Sequence, residues 1–282
     1  MIRSMLRLFL VIFFMCSAAA VSAQTDTVPR HRLTSHAWTV GFGRTNRLDT
    51  YLSPLEYKGP ELHVVRETMR PTRWLCGRLT TQTLVMGGVA YTHSPTDDGK
   101  AWSAQVDACF GYHYNWTPMP GLRLMAGAQL AGGLGGQYHT RNGNNPAQAR
   151  LDVALNASVM AIYRFRLARR WFTARAQLDA PVVGAMFTPN YGQSYYEIFS
   201  LGHYDRNVRF TYPGNAPTLR GLLTLDVPVA TAVVRLGYLA DIRQSNVNYL
   251  KRHAWSHAFL VGCVKHFSII RAADPRREDM IY

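Results

Sequence analysis

The chain has 282 residues, a formal net charge of +14 and four cysteines, and 48% of its residues are hydrophobic. That length suffices for one large β domain or two ordinary ones. Cys76, Cys109 and Cys263 follow the N-terminal region, and their odd number excludes a complete disulfide framework.

Arg3 and Arg7 precede a short apolar run, Leu8–Met15, and Val21-Ser22-Ala23 supplies small residues for cleavage. The run is shorter than the roughly 20 residues of a spanning helix. It reads as a signal peptide over 1–23, with the mature chain beginning near Gln24. Cys16 is not a lipoprotein cysteine, because Phe13-Phe14-Met15 lack the small residues that processing needs. The only lysines are Lys58, Lys100, Lys251 and Lys265; the other basic residues are Arg. Arg serves where a planar fork meets carboxylate or phosphate. An exported chain meets no nucleic acid routinely. The basic balance therefore points to a buried Arg/Asp network or to a surface facing lipid phosphates.

Residues 24–35 are polar and aperiodic, a flexible leader. From residue 36 the chain repeats a period of two, the mark of strands with two different faces. The first strand is His36–Arg44, followed by a loop over Thr45–Pro60. The second is Glu61–Met69, poorly alternating, with a tight turn at Arg70–Thr72. The third runs to His93, and Ser94–Lys100 turns it. The fourth alternates from Trp102 to Trp116, and Thr117–Gly121 turns it. The fifth starts at Leu122, and Gly135–Gln148 reads as a loop. The sixth, Arg150–Phe165, sets Leu151, Val153, Leu155, Ala157, Val159 and Ala161 against Arg150, Asp152, Asn156 and Ser158. The seventh carries Phe172–Ala180. A segment rich in Tyr, Gly and Asn follows, about Thr188–Pro217. The eighth and ninth strands are Leu219–Val227 and Val234–Arg243, with a loop at Gln244–Lys251. The tenth runs from His253 to Phe267, and 271–282 is a charged tail.

Links alternate between short and long, which is the layout of a membrane barrel with short periplasmic turns and long extracellular loops. Aromatics at Tyr91, Trp102, Tyr112, Trp116, Tyr163 and Phe165 stand near strand ends, where interfacial girdles belong. The strands exceed the five or six residues usual in globular sheets, and a closed barrel pairs every backbone group in lipid. The expected fold is all-β: a transmembrane antiparallel barrel over 36–270. It has about ten strands, or twelve if Tyr195–Tyr212 forms a hairpin.

The segments Gly43–Glu61 (GRTNRLDTYLSPLEYKGPE), Phe187–Gly202 (FTPNYGQSYYEIFSLG) and Thr218–Val229 (TLRGLLTLDVPV) resemble a family of outer-membrane β-barrel proteins of Gram-negative gut and oral anaerobes, defined as a domain of unknown function. The resemblance covers nearly all of the mature chain. It implies a single barrel domain in the outer membrane and carries over no catalytic residue.

With the polar register inward, Asp107, Arg123, Arg150, Asp152, Arg175, Asp179, Arg220, Asp226, Arg235, Asp241 and Arg243 enter the lumen. There they form a plug of salt bridges or line a narrow polar pore. Met160 and Ile162 predict an apolar floor. The long extracellular segment offers a second candidate site at Tyr191, Ser194, Tyr196, Glu197, His203 and Asp205. It reads as an ordered cap or a binding surface, and its Ser, His and acids leave open a hydrolase acting on lipid or peptide at the rim. A soluble periplasmic binding barrel is the third reading. No cofactor or metal is expected, since His63, His93 and His113 lack ligand spacing. The glycines at 132, 133, 135 and 136 lack the Lys-Ser/Thr of a phosphate loop and read as hairpin flexibility. The expected partners are outer-membrane lipid and lipopolysaccharide.

Overall fold

The computed structural model describes residues 33–143, 145–229 and 232–268. The signal segment, the leader as far as residue 32 and the tail 271–282 lie outside the described residues.

Eleven strands run antiparallel: β1 (Leu33–Asp49), β2 (Ser53–Pro71), β3 (Leu79–His93), β4 (Lys100–Met119), β5 (Leu122–His139), β6 (Ala147–Leu167), β7 (Arg170–Phe187), β8 (Val208–Thr211), β9 (Thr218–Val229), β10 (Ala232–Val247) and β11 (Leu250–Ser268). Ten of them close into a barrel. Each pairs with its sequence neighbour, β7 joins both β6 and β9, and β11 returns to β1. Closure leaves no open edge, as hydrocarbon surroundings require. The four-residue β8 pairs with Gly184–Phe187 at the upper end of β7, above the β7–β9 ladder. The expected twelve-strand hairpin does not form. Tyr195–Phe199 is instead a short helix, α1, because Ser194 and Glu197 cap it.

Links at 72–78, 120–121, 168–169 and 230–231 define a turn end; links at 50–52, 94–99, 140–146, 188–217 and 248–249 define a loop end. The longer connections mark the loop end as extracellular. Ala168 and Arg169 have φ of 48° and 64°, and Asn248 and Tyr249 have 53° and 62°. Two left-handed residues in succession match the twist of two-residue hairpins.

Several segments expected as loop or leader are strand. β1 begins at Leu33, inside the expected leader, and runs past Arg44 to Asp49. β2 starts at Ser53 despite Pro54 and Pro60. Pro60 faces Arg44 across β1, while the β2–β3 ladder skips Gly59 and Pro60, where an N–H is missing. Gly135–His139 extends β5, and Gln244–Val247 extends β10 to a two-residue turn. Conversely, Leu75 lies in a 3-10 turn, Trp74–Gly77, rather than in the third strand.

Leu151, Val153, Leu155 and Val159 stand about half exposed on the outer surface, while Gln148, Arg150, Asn156, Ser158 and Met160 are buried inside. This is the reverse of a soluble barrel's arrangement. The inner register changes once within β7. A bulge at Pro181–Val183, opposite Leu155 and Asn156, adds one residue, so Arg175, Gln177 and Asp179 point inward below it and Met186 above it.

Candidate functional site: the lumen and its extracellular cap

The inward residues stack in tiers. At the turn end Met69, Met125 and Met160 pack together with Ile162, the apolar floor expected from β6. Above it lies a buried polar tier built on Glu67. Arg175 Nη1 donates to both Glu67 oxygens at 2.7 Å, and Arg235 Nη1 donates to Oε2 at 2.7 Å. Arg235 also grips Asp226 with two hydrogen bonds, 2.6 and 2.8 Å. Gln82 donates to Glu67 and to Gln177, and Gln177 donates to Asp179. Ser158 donates to Asp179 at 2.5 Å and stands 2.9 Å from His113 Nε2. Charges so far from water need this degree of pairing, because burying one alone is costly.

Next comes an apolar belt inside the lumen: Val65, Leu84, Met86, Cys109, Leu222, Leu239, Ala258 and Leu260. They come from six strands whose inward positions at this height are all nonpolar. Above the belt is the second charged tier. Arg47 pairs with Glu61, and His63 Nε2 lies 3.4 Å from the same carboxylate. Arg243 binds Asp107 at 3.0 and 2.7 Å and Asp241 at 2.7 Å. Arg220 donates to Cys109 Sγ at 3.4 Å. These groups surround a crevice only large enough for about one water, lined among others by Arg47, Glu61, His63, Gln105, Asp107 and Arg243. Gly133 explains part of the packing. A Cβ there would lie 2.7 Å from an Asp152 oxygen and 2.8 Å from an Asp107 oxygen. Higher still, Arg150 donates to Gln137 and to Asp49.

The loop end closes over this stack. Residues 188–207 reach across the mouth, where Tyr51 donates to the Gln193 carbonyl at 2.9 Å. Tyr195 Oη accepts from the Ala149 amide at 2.7 Å. Asn248 donates to the carbonyls of Thr188 and Arg206. Asn142 reaches the Leu52 carbonyl, and Arg141 pairs with Asp98. Ile198 of α1 is fully buried beneath this cap. Burial, with Tyr195 and Asp49 nearby, pushes the Tyr51 hydroxyl up to about 12. Burial also raises Tyr195. The Ser194 amide and hydroxyl hold the Glu197 carboxyl below its ordinary value.

Ten of the eleven charges assigned to the lumen from the sequence lie in these tiers or beside them. Arg123 does not. Its register is inward, but it sits at the turn-end mouth and is exposed. Sequence reasoning missed the acids and bases of β1 and β2: Arg47, Asp49, Glu61, His63 and Glu67. In β2 the signal was the odd register Glu61, His63, Val65, Glu67 and Met69, in which Val65 and Met69 disguise the polar face as apolar; Arg47 and Asp49 fell in the stretch read as a loop. The loop residues do not assemble as a hydrolase. Ser194 Oγ accepts from the Glu197 amide at 3.2 Å and donates to its carboxylate at 3.0 Å, so both side chains serve as a capping box. His203 donates its amide to the Glu197 carbonyl and lies exposed. Asp205 contributes its carbonyl to Asn190, and Tyr191 and Tyr196 face outward.

The chain is similar in structure to the outer membrane protease OmpT from Escherichia coli. The TM-score is 0.51 at 9% identity, covering 86% of this chain and 100% of that one. It is also similar to the translocator domain of the autotransporter NalP from Neisseria meningitidis, with a TM-score of 0.43 at 13% identity, covering 86% and 90%. At such identities the likeness concerns the fold alone, which is that of an outer-membrane barrel. A comparison with curated proteins gives no match. A family model matches residues 6–274, and the chain belongs to that family, described as "Protein of unknown function (DUF3316)".

Proposed function

We propose that the protein is a sealed, non-conducting barrel of the outer membrane whose working surface is its extracellular cap, and that it reaches the membrane through a signal cleaved near Gln24. The apolar belt at mid-lumen carries this reading. Eight buried nonpolar side chains separate two polar tiers, and a dry constriction bars ions even where polar chambers flank it. The cap and the methionine floor add a barrier at each end. With the lumen filled, the surfaces left for work are external. The cap presents Tyr191, Tyr196 and Tyr204 outward, and Tyr249 on the neighbouring turn is 91% exposed. Tyrosines offer large contact area at low entropic cost. The partners that suit this placement are lipopolysaccharide around the cap and membrane lipid along the apolar wall.

The test is conductance in planar bilayers. The folded wild-type protein is expected to pass no steady current. Replacing Leu84 and Leu239 by Asp is expected to wet the belt and admit a leak. Reproducible channels from the wild type would overturn the sealed-barrel reading.

A further inference from the structure

The two ends of the barrel differ in charge. At the loop end exposed acids and bases mix: Asp97, Asp98 and Asp205 stand among Lys58, Lys100 and Arg141. At the turn end the exposed charges are basic. The β6–β7 hairpin alone carries Arg164, Arg166, Arg169 and Arg170, all exposed. Arg73 and Arg78 flank the 3-10 turn across the rim. Among the described residues no Asp or Glu is exposed at this end; the nearest, Glu67, Asp179 and Asp226, are buried and paired inside the barrel.

The aromatics fix the height of this basic rim. Tyr163, Phe165 and Phe172 stack in sequence at 5.7 Å spacings. Arg66 lies 5.4 Å over the outward-facing Trp38, while Arg164 lies 4.8 Å over Trp171 on the hairpin's inward register, so that pair is not part of the outer belt. Aromatic belts sit at the headgroup level of a bilayer. The guanidinium forks are therefore held where lipid phosphates lie, in the geometry that binds phosphate oxygens in pairs. The left-handed pair Ala168-Arg169 turns the hairpin tip, and Arg170 is steadied by a hydrogen bond to the Pro228 carbonyl at 3.3 Å.

We propose that the turn end is a binding surface for anionic glycerophospholipid headgroups of the leaflet it faces, with the β6–β7 hairpin as its main contact. The experiment compares thermal unfolding in phosphatidylcholine vesicles with and without phosphatidylglycerol. The anionic lipid is expected to raise the wild-type transition at low salt, and the rise is expected to shrink as salt screens it. The quadruple variant R164Q/R166Q/R169Q/R170Q is expected to lose most of the rise, with lipid affinity falling about fivefold for each guanidinium removed. The milder R166Q/R169Q variant serves if the quadruple one does not fold. The loop-end variant K58Q/K100Q/R141Q is expected to keep the full rise. A rise of equal size in R166Q/R169Q and wild type would overturn the proposal. So would the same stabilisation from inorganic phosphate in plain phosphatidylcholine, or its loss in the loop-end variant.

Discussion

Glu67 holds two guanidinium groups at once: Arg175 reaches it from the opposite wall of the lumen, and Arg235 from β10, three strands away around the barrel. Glu67→Gln removes the negative charge between Arg175 and Arg235 without removing volume. A buried pair broken from one side costs about 3–5 kcal/mol, so unfolding in urea is expected to shift by that amount; an unchanged midpoint would show the tier to be solvated. Tyr51 makes the cap sensitive to alkali. Its folded value of about 12 lies above the ordinary one, so the folded state favours the neutral hydroxyl. The cap contact is intact below about pH 10 and is lost as pH rises through about 12. Proteolysis within 188–217 is expected to accelerate over that interval, and Tyr51→Phe is expected to reduce this pH dependence to the part carried by Tyr195 while weakening the cap throughout.

At the scale of the element, β5 shows how a strand can hide behind its composition. Four glycines among five residues, 132–136 with Leu134 between, suggest a flexible hairpin. Each nevertheless has strand partners on both sides. The reason for one of them lies in its neighbours: Gly133 leaves room for the carboxylates of Asp107 and Asp152. Gly133→Ala is expected to lower the yield of heat-modifiable folded barrel, since a methyl group would meet two carboxylate oxygens closer than van der Waals contact allows. Normal yield would show that those side chains swing aside at little cost. β2 hides differently. Pro54 and Pro60 read as loop markers, yet both are tolerated, one at the strand start and the other where the ladder to β3 is interrupted. The bulge in β7 is likewise silent in composition apart from Pro181.

For the whole molecule, the sequence alone decided that the backbone is extended, that most strands have one apolar and one polar face, and that about ten such strands follow one another. Alternation is a local property, and an unbroken period of two leaves no other regular structure able to segregate the faces. It also put Arg150, Asp152 and their counterparts on a single register, which is the inner one once the apolar register meets lipid. Which charges meet was decided only by closure. Arg175 and Glu67 are 108 positions apart, and Arg243 and Asp107 are 136 apart. Their heights depend on strand registers, on the bulge at Pro181–Val183 and on where each turn begins. The apolar belt between the charged tiers arises the same way. Val65, Leu84, Leu222 and Leu260 each look like an irregularity within a polar face, and only the stagger of the closed sheet brings them to one level to form the barrier.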